Sequence, residues 1–181
     1  MESDNIQARI AMMKAVVDPW YQALANPAKA QEIVLERLLG NSKQTEYGRL
    51  NGCDRVGSYA DYQNAFPVQT FNGFKPFIDQ VLAGDTHALL SEEPIYVGLT
   101  KGTTGEPKIF PFTADHLKVL RELNLRVIFN YSLSSHNFGW MSGYRLNLVP
   151  SAKVGTIKVG EKELLYGYSS AVVASIIEKK Q

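Results

Sequence analysis

The sequence has one cysteine, no long apolar run and almost no excess charge. Cys53 is the single cysteine among 181 residues, so no intrachain disulfide can form. No apolar run approaches the ~20 residues of a membrane-spanning helix, and early acidic residues argue against a signal peptide. The formal net charge of +1 argues against nucleic-acid or membrane partners attracted by bulk charge. We therefore expect a cytoplasmic protein with neither kind of partner.

Spacings typical of metal ligands are also missing. His87, His116 and His136 stand far apart, and no Cys–His pair or His-Glu-x-x-His pattern occurs. We therefore expect no protein metal site. Nothing in the sequence near Cys53 would activate its thiol, so a catalytic cysteine is not expected either. His116 is interpreted as an exposed residue in the first turn of a helix, and the alternative is that it approaches a ligand.

One segment combines glycine, threonine and lysine between two apolar strands. Residues 100–108 read Thr-Lys-Gly-Thr-Thr-Gly-Glu-Pro-Lys, and we call this segment loop 100–108. Glycine lets backbone N–H groups approach a ligand closely, threonine adds hydroxyl donors and lysine adds positive charge. The spacing is neither that of a Walker loop nor that of a dinucleotide fingerprint. Loop 100–108 is interpreted as a polyphosphate-binding segment, and the alternative is a plain hairpin turn.

Loop 100–108 resembles the phosphate loop of adenylate-forming enzymes, which reads [Ser/Thr]-x-Gly-Thr-Thr-Gly-x-Pro-Lys. The segments upstream of it narrow the resemblance to the Gretchen-Hagen-type (auxin-responsive) acyl-acid amido synthetases, most like their bacterial members. The resemblance runs from about Leu35 to about Leu117, and Tyr166–Ser170 is a possible match further on. In chain order, the upstream segments are Thr45–Arg49, Ser58–Tyr62, Phe66–Val68, Lys75–Ile78 and Val81–Asp85.

The resemblance implies a two-step ligase. ATP and a small carboxylic acid would give an acyl-adenylate, and an amino acid would then displace AMP to form an amide. Magnesium would arrive with ATP, and no side chain need act as a nucleophile because the acid's own carboxylate attacks. The fold implied is a large N-terminal α/β domain with a smaller mobile C-terminal domain. The ATP-binding residues implied are Thr100, Lys101, Gly102, Thr103, Thr104, Gly105 and Lys108.

Two departures from the family pattern limit this interpretation. Lys101 stands where the superfamily has serine or another small residue, and we expect altered ATP handling, with a direct phosphate contact as the alternative. Family members are several times longer than 181 residues, so the remaining domains are absent from the sequence and catalysis by the chain alone is not expected. The alternatives are a non-catalytic relic, a nucleotide- or anion-binding module, and an inert piece with open sheet edges.

The predicted fold class is α/β, an incomplete N-terminal part of the large domain of an adenylate-forming enzyme with helices packed on a mixed sheet. Within one segment, 1–181, we expect a helical region 1–90, a strand–loop–strand–helix unit 94–134 and a terminal region 140–181. Asn26 is expected to cap the second helix and Gly40 to end it, while Thr113 caps a long helix. Predicted helices are 5–24, 28–39, a short one from Ser58, 72–83 and 114–133; predicted strands are 95–99, 108–112, 144–149 and 156–159; 171–177 is a helix or a strand.

Overall fold

Helices precede and flank a four-stranded mixed sheet in the computed structural model, which describes residues 2–100, 107–141, 148 and 150–172. The strand order is β2-β1-β4-β3, with β1 antiparallel to β2, parallel to β4, and β4 antiparallel to β3. The predicted fold class is confirmed. The elements are α1 Glu2–Ala25, α2 Pro27–Ser42, α3 Glu46–Leu50, α4 Tyr59–Ala65, α5 Phe71–Ala83, β1 Tyr96–Leu99, β2 Ile109–Phe112, α6 Ala114–Ser135, β3 Gly155–Val159 and β4 Lys162–Tyr168.

The long helices α1 and α6 pack together through a cluster of buried side chains. Met13 and Val17 of α1 are fully buried and meet Phe129 of α6. Ser132, also fully buried, accepts a hydrogen bond from the Trp140 indole at 2.5 Å, so the segment after α6 closes over the cluster. The buried residues lie in the middle of α1, whereas Ile6 near its beginning is exposed.

The second helix begins as predicted but ends later. The Asn26 side chain accepts a hydrogen bond from the Lys29 amide at 3.2 Å, which confirms the cap. The expected end at Gly40 is wrong, because α2 continues to Ser42. Both the amide and the hydroxyl of Thr45 donate to the Ser42 carbonyl. These two hydrogen bonds end α2 two residues after Gly40. Thr45 then caps α3 by accepting from the Gly48 amide at 3.0 Å.

Helices α4 and α5 are set by local signals. Ser58 caps α4: its hydroxyl accepts from the Asp61 amide and donates to the Asp61 carboxylate, which also accepts from the Gly57 amide. Helix α5 begins at Phe71, one residue before its predicted start, and Pro76 lies inside it. Gly84 ends α5 in the left-handed conformation, so the helix ends at Ala83 as predicted.

A glycine pair joins α5 to the β3–β4 hairpin. Gly84 has φ 112° and Gly160, in the hairpin turn, has φ 58°. A Cβ at position 84 would come within 2.8 Å of the Gly160 Cα atom, so neither position has room for a side chain. The Gly160 amide also donates to the Leu82 carbonyl at 3.3 Å. This contact fixes the hairpin, and therefore β4, against α5.

Strand β4 and helix α3 were not predicted as elements. The Tyr47 ring of α3 packs against Phe66, Phe74 and Phe77, with centroids 5.2 to 6.0 Å away, which anchors the short helix on α5. The predicted strand 144–149 lies outside the described residues except for exposed Leu148, which is not in a strand. Residues 169–172 are helical, and the rest of the predicted terminal element 171–177 also lies outside the described residues.

Candidate phosphate-binding neck

Strands β1 and β2 carry loop 100–108 between them and bring its two ends together. Leu99 pairs with Ile109, and the ladder continues one step beyond, where the Thr100 amide donates to the Lys108 carbonyl at 3.0 Å. The Lys108 amide donates to the Thr100 hydroxyl oxygen at 3.2 Å. We call Thr100 and Lys108 the neck. The other predicted site residues, Lys101, Gly102, Thr103, Thr104 and Gly105, lie outside the described residues.

The neck exposes a cation and a hydroxyl. Lys108 is exposed, and no carboxylate of the described residues lies within ion-pair distance of its ammonium. Its Nζ atom instead lies 5.1 Å from the centroid of the Phe71 ring. The Thr100 hydroxyl uses an oxygen lone pair for the Lys108 amide, so its hydrogen remains available to donate. These groups fit a phosphate, which is anionic and accepts hydrogen bonds.

The end of β4 lies beside the neck because β4 runs parallel to β1. Tyr168 pairs with Leu99, and the following residue, Ser169, donates its hydroxyl to the Leu99 carbonyl at 2.8 Å. Carboxyl ends of parallel strands meet at one edge of a sheet, the usual place for a ligand in such folds. The sequence pointed to Tyr166–Ser170 only as a possible family match. A short apolar and aromatic run after the Gly160 turn, Leu164–Tyr166, was a signal for the missed strand.

Strand β1 is held rigidly beneath the neck. The Tyr96 hydroxyl donates to the Ala152 carbonyl at 2.6 Å, and burial raises the pKa of this phenol to about 12. Gly98 lies against the Phe112 ring so closely that a Cβ would come within 2.2 Å of it. Tyr96 and Phe112 belong to the buried cluster under the sheet. The neck therefore extends from a closely packed and buried pair of strands.

Helix α6 begins directly after β2, and its first turn is tied to earlier segments. Thr113 accepts a hydrogen bond from the His116 amide at 3.2 Å, so the predicted cap is confirmed. The Glu92 carboxylate accepts from the Asp115 amide at 2.9 Å, and Arg37 pairs with Asp115 at 2.8 Å. His116 is exposed in the first turn, as interpreted, and its ring stacks on Phe112 with centroids 4.6 Å apart. Partial burial against that ring lowers the pKa of His116.

A hollow among the helices lies apart from the neck. This hollow of about 640 Å³ between α2, α3, α4 and α5 is lined by aromatic and apolar residues such as Tyr62 and Phe74, and none of its lining residues is charged. Among the described residues, no group of three or more histidine, cysteine, aspartate or glutamate side chains is placed to hold a metal ion. No helix of the described chain is both long and apolar enough to cross a membrane.

Comparisons with known proteins match the part of the chain that contains the neck. A family model described as the GH3 family N-terminal domain matches residues 18–160. A jasmonoyl–L-amino acid synthetase, JAR6 of Nicotiana attenuata, is 27% identical over 148 residues, which are 80% of this chain and 25% of that protein. An indole-3-acetic acid-amido synthetase, GH3.15 of Arabidopsis thaliana, is 35% identical over 97 residues, 51% of this chain and 16% of that protein.

The solved structure of an acyl acid amido synthetase, AtGH3.15 in complex with 2,4-DB, shares the fold. It superposes with a TM-score of 0.74 at 22% identity and covers 93% of this chain and 29% of that one. The chain spans about a quarter of the length of JAR6 and of JAR4, a second jasmonoyl–L-amino acid synthetase of Nicotiana attenuata.

Proposed function

The chain belongs to the GH3 family, and on that basis we propose that it supplies the ATP-phosphate-binding part of an acyl acid amido synthetase. The relatives are named as a jasmonoyl–L-amino acid synthetase and an indole-3-acetic acid-amido synthetase. Because the chain spans a quarter of such a relative, the complete reaction is proposed for the assembled enzyme and not for these 181 residues alone. The observation that carries the proposal is the neck, with its exposed ammonium and available hydroxyl.

The proposed reaction has two steps. A carboxylate oxygen of the acid attacks the α-phosphorus of ATP, the bond from that phosphorus to its bridging oxygen breaks, and pyrophosphate leaves. The amino group of an amino acid then attacks the acyl carbon of the acyl-adenylate, AMP leaves with the electron pair of the broken C–O bond, and the nitrogen loses a proton. Negative charge therefore accumulates on the departing phosphates, where a preorganised cation stabilises the transition state.

The neck residues have distinct roles in this proposal. The Lys108 ammonium offsets charge on the departing phosphates, and the Thr100 hydroxyl donates to a phosphate oxygen while it still accepts from the Lys108 amide. Residues 101–105 are proposed to complete the cradle with backbone amides and threonine hydroxyls. Magnesium is proposed to arrive with ATP, since the phosphates themselves supply oxygen ligands. A cytoplasmic location is part of the proposal and is supported by the presence of a single cysteine.

The direct test is to measure the binding of pyrophosphate and of ATP to the 181-residue chain by calorimetry or NMR titration. We expect Lys108→Ala to weaken pyrophosphate binding about tenfold, the order of one charge-assisted hydrogen bond. Lys158→Ala is the matched control, because this exposed lysine lies in β3, near the hairpin turn and away from the neck. Equal affinities for the wild type and the Lys108 variant would contradict the proposal. Binding by a complete enzyme without turnover would favour the binding-module alternative.

A second variant tests the departure at position 101. We expect Lys101→Ser to raise ATP affinity, because serine restores the small hydroxylated residue of the superfamily pattern. The same titration measures it, with the wild type and Lys158→Ala as references. A fall in affinity would instead assign Lys101 to direct phosphate contact.

A further inference from the structure

The Lys108 ammonium lies against an aromatic ring from a different element. Its Nζ atom is 5.1 Å from the centroid of Phe71, within the ~6 Å over which a cation is attracted to a ring face. Phe71 is the first residue of α5, whereas Lys108 directly precedes β2. The contact therefore fixes the neck to a helix that begins well before the loop in the sequence.

The ring that holds the ammonium is itself held by the core. Phe71 meets Phe110 edge-on, with centroids 5.3 Å apart and planes inclined at 65°. Phe110 packs in turn against the buried cluster that contains Tyr96, Phe112 and Leu117. Phe71 is partly buried and packs on Phe110, and its ring face is the surface on which Lys108 rests.

This partner differs in kind from those of other lysines. Among the described residues, Lys29, Lys75 and Lys162 each pair with a carboxylate, at 2.8, 2.6 and 3.3 Å. A carboxylate neutralises an ammonium, whereas a ring attracts it through its quadrupole and leaves the full positive charge in place. A lysine restrained in this way has lost part of its side-chain freedom before any anion binds, which reduces the entropic cost of binding.

We propose that Phe71 is a positioning residue, which holds the Lys108 ammonium at the neck of loop 100–108 for a phosphate of the substrate. This inference rests on the proposed function and adds a residue that neither the loop pattern nor the family match assigns. Phe71 does not touch the phosphate. It acts through Lys108, and the aromatic character of its ring is the property that matters.

The contact is tested first without a ligand. The ring current of Phe71 shifts the NMR signals of the Lys108 ε-methylene protons, and we expect Phe71→Leu to remove that shift. Phe74→Leu is the matched control, because it removes an aromatic ring three residues later in α5 that packs on Tyr47 instead. A wild-type Lys108 without a ring-current shift would overturn the proposal.

Pyrophosphate affinity is measured next on the same samples. We expect Phe71→Leu to weaken binding about two- to fivefold, the equivalent of an exposed cation–π contact, and Phe71→Tyr to restore it. Replacing Phe71 by mono-, di- and trifluorinated phenylalanine keeps the shape of the ring but withdraws electron density from its π-face. We therefore expect a stepwise loss of pyrophosphate affinity as fluorine is added. The fluorinated variants also test the role of Phe71 if Phe71→Leu does not fold. Equal affinity across the fluorinated series would overturn the proposal.

The two proposals fail in different ways. If Lys108→Ala weakens pyrophosphate binding and Phe71→Leu does not, the phosphate-binding function stands and the role of Phe71 is overturned. If Lys108→Ala leaves the affinity unchanged, the proposed function is overturned and the role of Phe71 with it. An intact ring-current shift would then place the failure in phosphate binding and not in the contact.

Discussion

Tyr96 lies in β1 beneath the neck, and its phenol makes the free energy of unfolding depend on pH in the alkaline range. Its hydroxyl donates to the Ala152 carbonyl, and burial raises its pKa from 10.0 to about 12. The folded chain keeps this proton where the unfolded chain loses it, so the contribution to stability is complete below pH 10 and is lost as pH rises toward about 12. We expect the free energy of unfolding of Tyr96→Phe to fall less steeply with pH over that interval.

Urea unfolding at several pH values measures this slope. At neutral pH, the phenylalanine variant is expected to be about 1 kcal/mol less stable, because the Ala152 carbonyl loses its donor. Parallel slopes for the two proteins above pH 10 would show that Tyr96 does not titrate as its burial indicates.

Single residues of the site differ in how readily the sequence predicts them. Thr100 and Lys108 were predicted because their types and spacing carry a phosphate-loop pattern. Phe71 and Ser169 were not, because their roles depend on contacts across the fold with residues far away in the sequence. A phenylalanine at the start of a helix has the same local signal whether it packs in the core or holds a cation.

At the scale of elements, the first turn of α6 depends on a residue outside the helix. The Glu92 carboxylate accepts from the Asp115 amide, and that bond, together with the Thr113 hydroxyl, lowers the pKa of Glu92. A carboxyl whose pKa is depressed on folding stabilises the protein above its unfolded pKa, near 4.5, and this contribution is lost as pH falls through the folded pKa. We expect Glu92→Gln to reduce the acid sensitivity of melting between pH 6 and pH 3.

Circular dichroism melts at those two pH values measure the effect. Glu93→Gln is the control, since this neighbouring carboxylate pairs at 3.3 Å with Lys162 and both side chains are largely exposed. If Glu92→Gln and Glu93→Gln change the pH dependence equally, the cap at α6 has no special part in it.

The hairpin turn between β3 and β4 offers a test of close packing. Gly160→Ala would place a methyl group against Gly84 at a positive φ, so we expect a loss of about 1–3 kcal/mol in the free energy of unfolding. Gly40→Ala is the opposite control, because a Cβ there meets nothing within 4 Å and α2 continues past it. That variant is expected to gain about 0.5–1 kcal/mol. Urea denaturation compares them, and an unchanged Gly160 variant would contradict the close contact.

The elements themselves were predicted where local chemistry defines them. Caps at Asn26, Ser58 and Thr113 all form, because each side chain bonds to an amide only three residues away. The end of α2 was placed too early because a glycine signals a stop only when it takes the left-handed conformation, and Gly40 does not. Strand β4 was missed because its pairing partner β1 lies more than 60 positions earlier in the chain.

At the scale of the whole molecule, α6 joins two buried clusters. Its Leu117 end packs with Tyr96 and Phe112 under the sheet, and its Phe129 end packs with Met13 and Val17 of α1. We therefore expect Phe129→Ala to cost about 3–5 kcal/mol and to destabilise the sheet together with α1.

Two probes separate the outcomes. Tryptophan fluorescence, which comes from Trp140 in the cluster and Trp20 in α1, follows the α1–α6 pair, and hydrogen exchange of the β1 amides follows the sheet. Coincident shifts of both in Phe129→Ala confirm the expectation. A loss confined to tryptophan fluorescence would mean that the two clusters unfold independently.

The parallel pairing of β1 with β4 also has a consequence for synthesis on the ribosome. The β1–β2 hairpin is complete once Phe112 has emerged, but the other edge of β1 has no partner until β4, Lys162–Tyr168, follows. Through the production of α6 and the next two dozen residues, the nascent chain thus presents an open strand edge to its surroundings. We therefore expect chaperones at the exit tunnel to bind the nascent chain during this interval.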